Sequence, residues 1–149
     1  MKRLLCMTAA LALTATAAMA QSDPYGRRQG YDVFFRTGSA ANAEAAGLIE
    51  QISEALDKSR SLQLVTVVDP DTPTVELEAP LNFTKESDGR VTVSYEMSPA
   101  RGAAAGRTYK TTCKITQVER CAVDIVTRVE RYAREMEAAL RPSGLPPGF

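Results

Sequence analysis

The run YDVFFRTGSAANAEAAGLIEQISEALDKSRSLQLVTVVD, residues 31–69, decides the fold. It opens with Tyr31, Val33 and Phe35 on one parity and Asp32, Phe34 and Arg36 on the other, the two-residue period of a strand. TGSA ends that strand, and Ser39 or Asn42 can cap the helix that follows. In the helix Ala45, Leu48, Ile49, Ile52, Ala55 and Leu56 recur at three- and four-residue spacing, while Glu44, Glu50, Gln51, Asp57 and Lys58 take the outer side. LQLVTVVD, residues 62–69, is apolar at both parities, as a central strand covered on most of its surface is. A strand, a helix and a second strand at this spacing predict a parallel crossover, right-handed by the general rule.

Downstream, DPDTP breaks the chain with two prolines, and a long alternating run begins at Thr74. Val75, Leu77, Ala79, Leu81 and Phe83 keep one phase, and Pro80, which has no N–H for a ladder, predicts an edge or a bulge. Asp88-Gly89 marks a hairpin turn, after which Val91, Val93, Tyr95 and Met97 return inward. SPARGAAAGR is a Gly/Ala loop. A further strand then carries Tyr109, Thr111, Cys113 and Ile115 in phase. The closing helix, 118–140, has Cys121, Ala122, Ile125, Val129, Tyr132, Met136 and Leu140 along one stripe. Its outer side pairs Glu130 with Arg134, Arg131 with Glu135 and Glu137 with Arg141 at helical spacing. Both helices most simply cover one sheet face. The expectation is an α+β, two-layer sandwich, with a mixed sheet of about five strands and two helices on one face.

The ends of the chain read differently. Lys2 and Arg3, an apolar run from Leu4 to Ala18 and Ala18-Met19-Ala20 have the order of a secretory signal peptide, assigned to residues 1–20. That run is too short and too rich in Ala and Thr for a membrane span, so no transmembrane segment is expected in the mature chain. Residues 21–30 form a polar leader expected to be disordered, residues 31–141 a single domain, and residues 142–149, PSGLPPGF, a flexible tail. The whole chain balances 18 basic against 18 acidic residues, and loss of Lys2 and Arg3 makes the mature protein weakly acidic. No basic excess points to nucleic acid. The style of the leader places the protein in a bacterial periplasm or among secreted proteins.

In that compartment Cys113 and Cys121 are the only mature cysteines, and an isolated pair closes to a disulfide. The seven-residue spacing is not that of a C-x-x-C redox motif. The chain has no histidine, which leaves a zinc site short of ligands and a cysteine nucleophile without its usual base. No cofactor or metal is therefore expected. Asp69 and Asp71 in DPDTP read as a turn rather than a calcium site. Gly102 and Gly106 match GxxxG by spacing alone, within a loop.

Residues 31–71 resemble the first strand-helix-strand of OmpA-like peptidoglycan-binding domains, FFRTGSA being the most specific element. In that family an aspartate after the second strand and an arginine on the next helix bind peptidoglycan, and the resemblance gives the first role to Asp69 or Asp71. Here the family's GHTD reads VVDPD, and TVELEAPLNFT, where the arginine-bearing helix belongs, reads as a strand. The ligand motif is not reproduced. The leading functional expectation is a non-catalytic binding or interaction domain of the bacterial cell envelope, whose partner is an envelope protein or a cell-wall component. Candidate contact residues are Thr92, Ser94, Glu96 and Lys110 on the sheet, with Arg101 and Arg107 around the 98–107 loop. The alternatives are a small envelope hydrolase using carboxylates such as Glu76, Glu78 or Glu96, and an inhibitor or immunity-type protein acting through that loop.

Overall fold

A computed structural model describes residues 30–102 and 104–141. The stretches expected to be a signal peptide (1–20), most of the leader (21–30) and the tail (142–149) lie outside the described residues. In chain order the elements are β1 (Tyr31–Thr37), α1 (Ala43–Lys58), β2 (Leu62–Val65), β3 (Thr74–Lys85), β4 (Arg90–Pro99), β5 (Arg107–Lys114), a 3₁₀ turn (Ile115–Gln117) and α2 (Val118–Leu140). The five strands form one mixed sheet in the order β2-β1-β3-β4-β5. β2 and β3 both pair parallel with β1, and β3, β4 and β5 form an antiparallel meander.

The expected α+β layering is present, and burial shows how it arises. Along β4, Val91, Val93, Tyr95 and Met97 are all fully buried, and they join Val33, Val75 and Leu77 from neighbouring strands. Leu48, Ile52 and Leu56 of α1 and Cys121, Ile125, Val129 and Ala133 of α2 close over this apolar face. The odd-numbered inward positions of four strands share one phase, so both helices must settle on the same side. α1 is capped by Asn42, whose Oδ1 accepts from the Ala45 N–H at 2.8 Å, and Ser39 is not used.

Four expectations need correction. The 62–69 run is not a central strand: β2 is only four residues long, stands at the sheet edge, and leaves Val67 77% exposed. The central place beside β1 goes to β3, whose twelve residues offer a far longer ladder. Leu81 is not inward. The register of β3 against β4 slips by two residues between Glu78 and Asn82, so Pro80 is buried and Leu81 turns outward. Leu140, at the last turn of α2, extends past the sheet and is exposed. Of the three outer pairs on α2, only Glu137–Arg141 forms an ion pair among the described residues, at 2.8 Å. Glu130 instead accepts from the hydroxyls of Ser59 (3.0 Å) and Ser61 (2.6 Å), tying α2 to the turn between α1 and β2.

Close approach fixes one glycine. Gly38 donates to the Ala79 carbonyl at 3.0 Å, and a Cβ at Gly38 would lie 1.8 Å from the Pro80 carbonyl oxygen, so no other residue fits against the bulge. The β3–β4 hairpin turns at Gly89, whose φ of 79° is the left-handed region that Asp88-Gly89 predicts.

α2 is held to the sheet at both ends. Cys113 at the end of β5 is bonded to Cys121 in the first turn of α2, with Cα atoms 5.7 Å apart. At the far end the Tyr31 hydroxyl donates to Glu137 at 2.6 Å. This hydrogen bond, aided by Arg141, holds the Glu137 carboxyl below the usual carboxylate range and pushes the Tyr31 phenol up.

Two outcomes follow for stability. Replacing both cysteines, Cys113→Ala with Cys121→Ala, lowers unfolding free energy by about 2.5 kcal/mol in denaturant titrations, and reductant then has no further effect. Unchanged stability would show that the loop is held by other contacts. Because the folded pKa of Glu137 is depressed, its contribution is complete above the unfolded value, about 4.3, and is lost as the pH falls through the folded value. Glu137→Gln therefore flattens the acid limb of a Tm-against-pH curve while leaving its slope near neutrality unaltered. An unchanged acid limb would refute the assignment.

Candidate functional site

With both helices on one side, the even-numbered positions of the central strands make up the other face of the sheet. No described element covers the stretch formed by Thr92, Ser94 and Glu96 of β4 with Thr108, Lys110, Thr112 and Lys114 of β5. The register sets Ser94 opposite Lys110, Glu96 opposite Thr108, and Thr92 opposite Thr112, whose hydroxyls are 3.1 Å apart. Glu86 accepts from the Thr92 hydroxyl at 2.7 Å. The result is a ribbon of hydroxyls bounded by lysines on the outer strand.

Towards the middle of the same face lies a charged group that the sequence does not single out. Arg36 on β1 donates to Glu76 on β3 at 2.7 Å and lies 3.9 Å from Glu78, which pairs across to Glu96 on β4. The Glu76 bond and both acids raise the Arg36 pKa. Glu96 bends over the start of β5, close enough that a Cβ on Gly106 would meet its Oε1 at 2.0 Å. The three carboxylates named for hydrolysis are thus neighbours, but Glu76 and Glu78 share one arginine and Glu78 is 38% exposed. Raising one carboxyl for general acid–base work requires desolvation, whereas Glu78 is open to solvent and both Glu76 and Glu78 lie beside Arg36. Only the adjacency of β1 and β3 brings Arg36 to the acids, a neighbour relation that carries no local signal in the sequence.

The other candidate contact residues do not all join this face. Arg101 belongs to the β4–β5 loop, at the end of the molecule where the 66–73 segment and the last turns of α2 meet. There it lines a cavity of about 450 Å³ walled by Pro70, Pro73, Pro99, Met136 and Leu140, with Asp71 at the rim. Arg107 pairs with the inward Met97 and so has the parity of the helix side, not that of Lys110. Asp69 accepts the Asp71 N–H at 2.9 Å through Oδ1, an Asx turn that fixes the loop. Among the described residues no cluster of three or more Asp, Glu or Cys could hold a metal ion, and no helix is long and apolar enough to cross a membrane.

No protein-family model matches the chain, and no curated protein matches it either. Among solved structures, the rare lipoprotein B of Shewanella oneidensis is similar at 10% identity. The match covers 73% of this chain and 98% of that one with a TM-score of 0.42, a likeness that carries no argument about function.

Proposed function

We propose that the mature protein is a non-catalytic binding domain of the bacterial cell envelope, with the hydroxyl ribbon of β4 and β5 as its contact face. The observation that carries this reading is the division of the sheet: one face is filled by two helices, and the other displays Thr92, Ser94, Glu96, Lys110 and Thr112 without cover from any described element. Such a face costs little to desolvate when a partner supplies matching donors and acceptors, because its hydroxyls and lysines keep hydrogen bonds on binding. The leader read in residues 1–20 supports export, and the Cys113–Cys121 bond suits an oxidising compartment. Glu76 and Glu78 are tied to Arg36 rather than desolvated as a converging pair, which weighs for binding over hydrolysis. The partner is an envelope protein or a cell-wall component, and the partial OmpA-like resemblance makes peptidoglycan the first polymer to try.

The test sets the oxidised mature protein beside the Thr92→Arg, Ser94→Arg variant in two assays. One is cosedimentation with purified peptidoglycan; the other is affinity capture from solubilised envelope. The proposal expects one assay to retain a partner with the wild type and to lose it with the variant, while Tm stays within a few degrees. Retention by both proteins alike, or by neither, would remove the face from consideration.

A further inference from the structure

The outer edge of β5 has features that neither the contact face nor the core requires. β5 is eight residues long and pairs on one side with β4 along its whole length, from Arg107 to Lys114, while no described strand lies on its other side. Alternate N–H and C=O groups of β5 therefore point away from the sheet, the arrangement that accepts an added strand. The opposite edge, β2, offers only four residues.

Cations flank the free edge on both sides. Lys110 and Lys114 stand on the open face, and Arg128 and Arg131 on the adjoining flank of α2, all exposed. The ion pairs among the described residues take up Arg36, Lys58, Lys85 and Arg141 but none of these four. Between α2 and β5 there is a polar cavity of about 250 Å³ lined by Tyr95, Thr111, Asp124, Thr127, Arg128 and Arg131. Its one acid, Asp124, accepts from Thr111 at 3.4 Å. Arg128 lies over the Tyr109 ring, 5.5 Å from its centroid, and Tyr109 stacks on Tyr95 at 5.8 Å. The Tyr95 hydroxyl is buried with no hydrogen-bond partner among the described residues, a donor left unused at a site rich in positive charge.

We infer that the β5 edge takes up an extended acidic segment of a protein partner as a sixth strand. Alternate side chains of that strand then face the two flanks: carboxylates on one side meet Lys110 and Lys114, and a carboxylate on the other enters the cavity beside Arg128 and Arg131. Backbone pairing requires a polypeptide, not a glycan. A second copy of this chain is disfavoured, because antiparallel pairing of β5 with β5 would bring Lys110 of one copy against Lys110 or Lys114 of the other. The lysines that keep neutral or basic edges away are the same groups that admit an acidic one.

The inference rests on the reading of the chain as a binding domain and adds a second surface to it. The probe is a labelled peptide of the length of β5 built on a Thr-Glu-Glu repeat, which places glutamates on both faces of an added strand, beside a counterpart with lysine for glutamate. Anisotropy titration at low salt and amide exchange of the mature protein are the readouts. The glutamate peptide is expected to bind, to slow exchange in β5 and not in β2, and to lose affinity by about tenfold or more with Arg128→Glu, Arg131→Glu. A rise to high salt weakens the wild type likewise, which keeps the test valid if that variant folds poorly. Equal binding of the lysine peptide, protection away from β5, or no binding up to about 1 mM would overturn the inference. So would protection of β5 that grows with protein concentration alone, the sign of a second copy. Failure of the peptide while the Thr92→Arg, Ser94→Arg comparison succeeds removes only this inference; failure of both removes the binding-domain reading as well.

Discussion

Alternation along β4 is the constraint on which the rest of the structure depends. Val91, Val93, Tyr95 and Met97 are each fully buried, while Thr92, Ser94 and Glu96 between them stay partly open to solvent. A strand at the fourth place of a five-stranded sheet, paired on both sides, hands this phase to its neighbours through the register, since paired residues point the same way. Each large inward side chain removes about 1.5–3 kcal/mol worth of apolar surface from water, and that gain is available only if something covers the face. Both helices therefore lie on one side. The polar face that no described element covers is the other half of the same arrangement, and the proposed function grows from it.

Holding α2 in place takes three further ties, each of a different kind. Cys121 is bonded to the end of β5, Glu130 accepts from Ser59 and Ser61, and Glu137 accepts from Tyr31 at the first residue of β1. The helix is thereby referred to β5 at one edge of the sheet and to the turn before β2 and the start of β1 at the other. None of the three reaches the open face, so the scaffold and the contact surface are built from separate residues. The disulfide between Cys113 and Cys121 belongs with the scaffold.

Much of this was legible in the residues because two periods dominate the chain. The strand phase of Val91 to Met97, the helical stripe from Cys121 to Val129 and the Asp88-Gly89 turn all carry local signals strong enough to survive folding. Strand order has no such signal. An apolar run such as LQLVTVVD satisfies the pattern of a central strand, yet the parallel place beside β1 that can be extended goes to the longer β3, and the run stops at Val65. The Arg36 group, the bulge that expels Leu81, and the diversion of Glu130 from Arg134 to two serines depend on which strands and helices become neighbours. The contact residues were legible only as a parity. Thr92, Ser94, Glu96 and Lys110 share a face because they share a phase, whereas Arg101 and Arg107, named for the irregular loop they flank, fall at the loop end and on the helix side.

The division of the molecule into a scaffold side and a contact side can be read in living cells by site-specific photo-crosslinking. A photoreactive side chain at Ser94 samples the open face, and one at Val123, which is 56% exposed on α2, samples the helical face. The account predicts a discrete adduct from position 94 and none from position 123. An adduct from 123 with silence at 94 would contradict it, and would move the working surface of the protein to its helices.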